Sequence, residues 1–494
     1  MSVLVKQAGI ISAADFLRLF VKTLIGVLLA RILTQADFGT YRQLFMIYTL
    51  ISSIFMIGLP QSVYYFLPKS DDETKKKFLK QTVDVFTVLG FLGSLLILLS
   101  RHGISAMFHN QQLSKILIIY ALYPFFMFLS QLYYSVMIGM QKPKKAAAFV
   151  IFQVVCDFVL ILGTAIITKS LVFITAGMVF SVFIQWLYAR ISLNSISPLN
   201  RSIKYDKELL VAQFKFALPI GVASIIGIVS SQIDKLVIST YFTPELFAVF
   251  SVGAAELPFI GIITNSVNAV ILPEMSKKTD AKSVSELYRG AVRKNALILF
   301  PLFAFCFVFA PQIIQILYSA KYLNAVIFFR IYLLTMPLRI ATYGLLFQVF
   351  NKTKYIFMIS LIALISNTGL SLMLINLYGL KGPAISTTLV TYITIILYVF
   401  LIKTKLNLKL TDIFPLSALS RTILASAFTA IICYPIILLN IDYLWQFITG
   451  LLCFLGIYFV LGNLFKAILP YDNNMVKSII KDVIKKIKEV RDVQ

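Results

Sequence analysis

Long apolar segments, separated by short polar and mostly basic ones, dominate the pattern of the chain. A membrane-spanning helix needs about 20 mostly apolar residues. Fourteen segments have this character, and they run approximately over 8–33, 41–67, 81–100, 114–136, 147–168, 171–190, 216–240, 247–272, 295–317, 325–350, 356–378, 382–402, 421–440 and 444–465. Only Thr168, Lys169 and Ser170 separate the fifth segment from the sixth. The pattern predicts an all-α polytopic membrane protein with about fourteen transmembrane helices.

The composition agrees with this prediction and excludes several classes of protein. Hydrophobic residues make up 59% of the 494 residues and charged residues 13%, whereas about 25% of a soluble chain is charged. A soluble enzyme, a disordered scaffold and a secreted disulfide protein are therefore excluded. None of the four cysteines has CxxC spacing, so we predict neither a disulfide nor a metal site. The chain has no GxxxxGK[ST] loop, which argues against ATP hydrolysis.

The formal net charge of +24 follows from the placement of the basic residues. With the N terminus inside, 33 Lys and Arg residues fall in cytoplasmic segments and 5 fall in outer loops. This asymmetry predicts that both termini are cytoplasmic, and it removes the reason to expect a nucleic-acid partner. The tail 475–494 alternates apolar and lysine-rich faces at helical spacing, which predicts a basic amphipathic helix on the anionic inner leaflet.

The chain also contains a faint internal repeat with a displacement of 209–210 residues. The aligned positions are 33–41 with 242–250, 141–144 with 351–354, Asp157 with Asn367, and Tyr188 with Tyr398. Because each copy holds six spans, we expect two pseudo-symmetric six-helix lobes, an architecture of transporters with the site between lobes. The predicted division is 1–190 for the first lobe, 191–215 for a cytoplasmic linker, 216–402 for the second lobe, 403–465 for helices 13 and 14, and 466–494 for the basic tail.

Three charged residues share one face of the first span. Asp15, Arg18 and Lys22 fall within an arc of about 60° on a helix. Each costs about 2.5–3.5 kcal/mol when it faces lipid, so this face is expected to line a polar cavity or a partner helix. The alternative is an Asp15–Arg18 pair at i,i+3 that satisfies itself. That pair leaves Lys22 unexplained.

Further charged residues lie within or at the edges of other spans. Arg339 lies deep in span ten, and Arg330 precedes it on the opposite face unless Pro337 bends the helix; Arg330 can also snorkel outward. Arg31 and Arg42 lie at the outer ends of spans one and two, as interfacial anchors or as the rim of a cavity. The embedded acids are Asp15, Asp157, Asp234 and Glu256. The excess of cations favours an anionic amphiphile, and Arg and Lys both suit phosphate.

Three short motifs resemble a known family. They are RILTQADFGTY at 31–41, FALP at 216–219 and QIDK at 232–235. They are similar to the polysaccharide-transport branch of the multidrug/oligosaccharidyl-lipid/polysaccharide exporter superfamily, which includes O-antigen-type lipid-linked oligosaccharide flippases. The resemblance implies two six-helix lobes in a V, plus two C-terminal helices, alternately open to each side of a bacterial inner membrane. It also implies transport of undecaprenyl-pyrophosphate-linked oligosaccharide, such as O-antigen or capsule units, from the inner to the outer leaflet.

The resemblance also bears on coupling. Relatives that flip the peptidoglycan precursor can bind sodium, and the similar places here are Asp234, Asn367, Ser371 and Thr391. Ser371 stands where an Asp is expected, which favours the O-antigen-like group. Coupling to sodium, to protons or to the membrane potential stays open. The candidate coupling residues are Asp15, Asp157, Asp234, Glu256 and Asn367.

These observations lead to one expected function and two alternatives. We expect a secondary transporter without a cofactor that moves lipid-linked oligosaccharide by alternating access, acts as a monomer and contacts polysaccharide assembly enzymes. The substrate-binding residues are expected to be Arg18, Lys22 and Arg339, with Arg330, Arg31 and Arg42 as weaker candidates. A multidrug cation antiporter of the same superfamily would need an acidic cavity. A membrane-embedded O-antigen polymerase or ligase would need a sizeable outer loop with catalytic residues.

Overall fold

Helices make up nearly all of the structure. The computed structural model describes residues 3–196, 205–255, 257–278 and 280–472, and these residues contain no β-strand. The helices are α1 (Val3–Ile32), α2 (Gln35–Met56), α3 (Leu59–Phe66), α4 (Asp72–Met107), α5 (Gln111–Tyr120), α6 (Leu122–Gly139), α7 (Pro143–Asp157), α8 (Gly163–Thr168), α9 (Leu171–Ile196), α10 (Lys207–Tyr241), α11 (Pro244–Gly253), α12 (Pro258–Ser276), α13 (Ala281–Val308), α14 (Ala310–Tyr318), α15 (Val326–Leu333), α16 (Tyr343–Val349), α17 (Lys354–Tyr378), α18 (Gly382–Lys405), α19 (Leu410–Ile413), α20 (Leu416–Cys433) and α21 (Tyr443–Leu464). The predicted all-α fold is confirmed.

Many of these helices are long and apolar enough to cross a membrane. Among the described residues, eight segments qualify, or eleven if each of three bent helix pairs forms one span. One of the eight, Lys354–Lys405, contains both α17 and α18, of 25 and 24 residues. At 1.5 Å per residue, either helix alone exceeds the roughly 30 Å of the hydrocarbon core. The protein is a polytopic membrane protein, while the count of fourteen spans stays a prediction.

Three spans that the sequence predicts as single helices are bent. The pairs α2–α3, α5–α6 and α15–α16 bend by 47°, 45° and 44°. At the first bend, Ile57 and Gly58 both have left-handed backbone angles, and a Cβ on Gly58 would lie 2.4 Å from the Ala217 carbonyl oxygen. Pro337 lies in the 3-10 turn Met336–Ile340 at the third bend, so the expected kink is present. Span ten is therefore not a straight helix.

Two further loop predictions have different outcomes. The break between the fifth and sixth spans is confirmed, since α8 ends at Thr168 and α9 begins at Leu171. The outer loop predicted over 101–113 is wrong in its extent, because α4 continues to Met107. Only residues 108–110 separate α4 from α5, with His109 in the left-handed region at φ 48°. The polar character of this segment therefore reflects a solvated helix end.

Packing divides the chain into two compact units. The first contains Met1–Pro258 with Phe357–Val390, and the second contains Phe259–Ile356 with Thr391–Gln494. These units are defined by packing and do not test the lobe boundaries that the internal repeat predicts. Those boundaries stay a prediction. The predicted tail helix 475–494 lies outside the described residues, as does part of the predicted linker, 197–204.

Buried polar side chains join the helices of the first unit. Gln43 on α2 donates to Ser239 on α10 at 2.8 Å. Gln213 on α10 donates to Ser62 on α3 and to Thr82 on α4, both at 3.1 Å. All five side chains are fully buried. In lipid such groups have no water to bind, so hydrogen bonds between helices hold them in place.

The backbone turns repeat at the displacement found in the sequence. Three pairs of residues 210 positions apart share positive φ angles, and they are His109 and Ser319 (48° and 83°), Gln141 and Asn351 (56° and 53°), and Lys169 and Gly379 (50° and 55°). After the second pair the hydrogen bonds also match, because Lys142 N donates to Met137 O at 2.9 Å and Lys352 N donates to Phe347 O at 2.7 Å. This shared geometry supports the internal repeat.

Candidate functional site

The charged face of α1 contains a direct ion pair. The Arg18 Nη2 atom donates to Asp15 Oδ1 at 2.6 Å, one helical turn away. Both side chains are half-buried, with exposed fractions of 32% for Arg18 and 40% for Asp15. The i,i+3 pair that the sequence offered as an alternative is therefore present.

Tyr134 on α6 completes this pair. Its hydroxyl donates to Asp15 Oδ2 at 2.9 Å, so both oxygens of the carboxylate have a partner. The Arg18 guanidinium carbon lies 5.2 Å from the centroid of the Tyr134 ring, within the range of a cation–π interaction. Only one of the five N–H donors of Arg18 is used in the ion pair. Arg18 is thus held in position while it keeps donors available for an anion.

Lys22 lies one turn beyond Arg18 on the same face and is exposed. Among the described residues its ammonium group has no direct ion pair. The charged groups that act on it most strongly are Asp157 on α7 and Arg18. Lys22 is therefore a cation in the middle of a helix. No acid contacts it directly, so its charge is compensated only by more distant groups.

Asp157 is anchored by the helix next to it. Its Oδ1 atom accepts hydrogen bonds from Ser181 Oγ at 2.6 Å and from Gln185 Nε2 at 2.9 Å, both on α9. Gln153, one turn before Asp157, donates to Gln185 Oε1 at 3.1 Å and to Ser130 Oγ at 3.0 Å. A π-helical stretch, Phe158–Leu162, follows directly, and such stretches are frequent at functional sites. The carboxylate is therefore fixed on a rigid polar network.

Small and β-branched residues bring α1 close to α7. Ala14 packs in a buried cluster with Ala147 and Val154, and Val21 packs against the same cluster. Ala14 and Val21 are seven residues apart, as are Ala147 and Val154, and α1 also contacts the stretch Phe158–Leu162 directly after Asp157, so the two helices run side by side in the same direction. Lys22 follows Val21 directly. This register brings Lys22 and Asp157 to a similar height along the two helices.

Two predicted coupling residues are buried elsewhere in the first unit. Asp234 on α10 accepts from the Lys235 backbone nitrogen at 2.7 Å. Asn367 on α17 accepts from Ser386 Oγ at 2.9 Å and donates to Thr387 Oγ1 at 3.2 Å. Both side chains are 4% exposed. Glu256, the remaining candidate acid, lies outside the described residues.

The other predicted cations are spread over both units. Arg31 is exposed at the end of α1, and Arg42 is partly buried on α2. In the second unit, Arg330 Nε donates to the Phe307 carbonyl at 3.1 Å. Arg339 is partly buried in the 3-10 turn between α15 and α16. The structure thus brings Asp15, Arg18, Lys22 and Asp157 together in the first unit, while Arg330 and Arg339 belong to the second.

Sequence reasoning missed the neutral members of this site. Tyr134, Ser181 and Gln185 contact the charged residues, but they are neutral and a pattern of charges does not single them out. The available signal was the spacing of Gln153 and Asp157, and of Ser181 and Gln185, each at i,i+4 within an apolar span. Within the described ranges, no group of three or more His, Cys, Asp or Glu side chains could hold a metal ion.

Solved structures with a similar fold are transport proteins. A structure titled lipid II flippase MurJ in an inward closed conformation superposes with a TM-score of 0.74 at 18% identity, over 92% of this chain and 98% of that one. An inward-facing multidrug resistance MATE family transporter of the MOP superfamily superposes with a TM-score of 0.61 at 14% identity, over 79% and 94%. These similarities show the fold.

Sequence comparisons give the family. An uncharacterized membrane protein of Methanocaldococcus jannaschii, MJ1068, is 24% identical over 422 residues, 75% of this chain and 78% of that protein. The capsular polysaccharide biosynthesis protein CapF of Staphylococcus aureus is 25% identical over 252 residues, 48% of this chain and 60% of that protein. The profile of the polysaccharide biosynthesis protein family matches residues 28–327, well over half of the chain. The resemblance to the polysaccharide-transport branch is confirmed, and the chain belongs to the polysaccharide biosynthesis protein family.

Proposed function

We propose that this protein is a flippase that moves undecaprenyl-pyrophosphate-linked oligosaccharide from the inner to the outer leaflet of a bacterial inner membrane. The units are O-antigen, capsule or similar oligosaccharides. The protein acts as a secondary transporter rather than an enzyme, and it exposes its site alternately to the two sides of the membrane. Family membership and the MurJ-like fold support transport of a lipid-linked sugar.

The observation that carries this proposal is Lys22, an exposed residue without a direct ion pair among the described residues, in the middle of α1. A cation inside a span is costly and is commonly functional. Arg18 lies one turn away and keeps donors available, as the Asp15 contact uses only one. An Arg fork and a Lys point charge on one helical face suit the two phosphates of a diphosphate.

The charge requirement follows from the chemistry of the substrate. A diphosphate that crosses the hydrocarbon region loses its hydration shell, and an unpaired charge there is prohibitively costly. Cations must therefore meet it along its path, and we assign Arg339 to this role in the second unit. Arg330, Arg31 and Arg42 are weaker candidates. The polyprenyl tail stays in lipid, so the protein needs a polar path only for the headgroup and the sugar.

Further parts of the proposal rest on sequence patterns alone. Both termini are cytoplasmic, and the tail lies on the anionic inner leaflet. The protein works as a monomer without ATP, and polysaccharide assembly enzymes contact it in the membrane. Sodium, protons or the membrane potential supply the driving force, with the embedded acids as coupling groups.

Reconstitution tests the function directly. The purified protein is placed in vesicles that carry a polyprenyl-diphosphate-linked oligosaccharide, and a membrane-impermeant reagent detects the sugar in the outer leaflet. We expect detection to rise with time in vesicles that contain the wild-type protein and to stay at background without protein. Transport of a cationic dye without movement of the lipid would instead identify a multidrug antiporter. Elongation of the sugar without its movement would identify a polymerase.

A further inference from the structure

We infer that Asp157 is an exchangeable counter-ion for Lys22, which balances the charge of the ammonium until the anionic headgroup takes that place. This inference deepens the proposed function and rests on it for the identity of the headgroup. It begins from a balance of charge, since Asp15 and Asp157 formally cancel Arg18 and Lys22. An anionic headgroup can bind strongly here only if it takes the place of one of the two acids.

The geometry identifies Asp157 as the acid that is replaced. Asp15 contacts Arg18 directly at 2.6 Å, and Tyr134 holds its second oxygen. Lys22, in contrast, has no direct ion pair within the described part of the chain, and Asp157 is the acid on α7, the helix that packs against α1. Asp15 and Arg18 are in direct contact, whereas Asp157 and Lys22 are not. An anionic headgroup can therefore replace Asp157 as a counter-ion more readily than Asp15.

The anchoring of Asp157 shows which partner moves. Ser181 and Gln185 fix the carboxylate, whereas Lys22 is a compact charge on a flexible four-carbon stem. Gln153 offers a further acceptor one turn before Asp157, because its buried Oε1 atom has no hydrogen-bond partner in the described residues. The Lys22 ammonium can therefore approach Asp157 or swing to a phosphate, while the carboxylate stays in place.

The internal repeat gives independent support for treating the two charges as a couple. The displacement of 209 residues aligns Lys22 with Ser231, and Asp15 and Arg18 with Ser224 and Gly227. The displacement of 210 residues aligns Asp157 with Asn367. The second copy thus has neutral residues at the positions of both charges.

The exchange has a direct consequence for transport. A headgroup that binds Lys22 leaves Asp157 without its counter-charge, which limits how tightly the site holds the substrate. When the headgroup leaves, Lys22 returns to Asp157, and this return favours release. The two interactions are thermodynamically reciprocal, since whatever Asp157 contributes to holding Lys22 is lost from the affinity for the anion.

The first experiment tests the couple without any substrate. Lys22→Ser and Asp157→Asn reproduce the neutral residues of the second copy, and the thermal stabilities of both single variants and of the double variant are measured in detergent. We expect each single change to lower the midpoint of unfolding and the double change to lower it by less than the sum. Strictly additive effects would show that the two charges do not interact, and would overturn the inference.

The second experiment tests the exchange with undecaprenyl diphosphate as the probe. We expect Asp157→Asn to bind it about tenfold more tightly than the wild type, within the usual range of coupling between sites. Glu73→Gln removes the same charge from an exposed position on α4 and is expected to leave the affinity unchanged. Equal or weaker binding by Asp157→Asn overturns the exchange. If neither protein binds the lipid, the exchange and the proposed function both fail. The thermal stabilities of the first experiment still show whether Lys22 and Asp157 interact.

A measurement on the wild-type protein covers the case in which Asp157→Asn does not fold. An apolar carbodiimide modifies protonated carboxyl groups, and a carboxylate that loses its cationic partner takes up a proton more readily. Mass spectrometry is used to follow the modification of Asp157 with and without undecaprenyl diphosphate. We expect the lipid to raise the rate several-fold while the rate at Asp15 stays constant. An unchanged or lower rate at Asp157 contradicts the exchange.

Discussion

At the scale of single residues, the two cations on α1 differ in how closely an acid compensates their charge. Arg18 is paired with Asp15 and stacked near Tyr134, so its position is fixed. Lys22 on the same face is exposed and only distantly compensated. We therefore expect the two cations to differ in role, with Arg18 as a fixed donor and Lys22 as a mobile one.

Lys22 and Arg339 provide the direct test of the binding residues. We expect Lys22→Ala and Arg339→Ala each to abolish transport while expression and membrane insertion stay normal, because loss of a cation lowers the cost of insertion. Lys22→Arg is expected to keep activity, since the charge remains. Complementation with matched protein levels is the measurement, and Lys76→Ala, an exposed lysine on α4, is the control. Normal transport by both alanine variants would refute the assignment.

The sequence was sufficient for part of this site. Helical spacing alone placed Asp15, Arg18 and Lys22 on one face and left Lys22 unexplained by the local pair. It could not place Asp157 on the helix that packs against α1, because that depends on which helices pack together, and packing of α1 on α7 relies on small residues such as Ala14. The contribution of Tyr134 was hidden for the same reason.

At the scale of helices, close packing explains part of the family motif. Thr34 caps the N terminus of α2, and its hydroxyl accepts from the Asp37 backbone nitrogen at 3.1 Å. A Cβ on Gly39 would lie 1.9 Å from the carbonyl oxygen of Pro244, at the start of α11. The motif therefore specifies a capped helix start and a close contact between two helices. The sequence alone predicted neither the contact nor the bend at Gly58, because both depend on a partner helix.

Gly39→Ala tests this contact between α2 and α11. The added methyl group forces the two helices apart, and we expect a loss of about 1–3 kcal/mol in the free energy of unfolding. Gly103→Ala on α4 is the matched control, since no other atom of the described residues lies within 4 Å of its added Cβ. There we expect a change below about 1 kcal/mol, in the stabilising direction. Thermal unfolding in detergent compares the two, and equal effects would contradict the packing argument.

A second contact between elements joins α13 to the segment after α21. Arg293 donates to both oxygens of Asp472, and both side chains are largely buried. Burial raises the pKa of Asp472, but the hydrogen bonds from Arg293 and from the Leu469 backbone nitrogen, together with the charges of Arg293 and Lys294, outweigh it and hold the pKa below its ordinary value. The folded state therefore gains stability above the ordinary carboxyl pKa, and loses it as the pH falls through the lowered value.

This sign leads to a pH-dependent prediction. Arg293→Ala is expected to lower the midpoint of thermal unfolding at pH 7, and the difference from the wild type is expected to shrink only below about pH 4. The matched control is Lys277→Ala, since Lys277 pairs with Glu274 at an exposed position, and exposed pairs contribute little. A difference that stays constant down to pH 3 would show that the ionised Asp472 carboxylate does not contribute.

At the scale of the whole molecule, the distribution of basic residues gives a testable orientation. Single cysteines are introduced at Ser70, before α4, and at Gln112, on α5, in a cysteine-free background. We expect a membrane-impermeant maleimide to label Gln112→Cys in intact cells and Ser70→Cys only after permeabilisation. The reverse pattern would invert the positive-inside assignment, and with it the direction of the proposed transport.

The matched left-handed turns have a consequence for the history of this chain. Lys169 and Gly379 adopt nearly the same positive φ angle 210 residues apart, although only glycine takes it without steric cost. Two different residues thus support one turn shape at a fixed displacement, as expected after duplication and fusion of an ancestral gene. The turns kept their shape while the helices between them diverged, so that Asp15, Arg18, Lys22 and Asp157 have only neutral counterparts in the second copy.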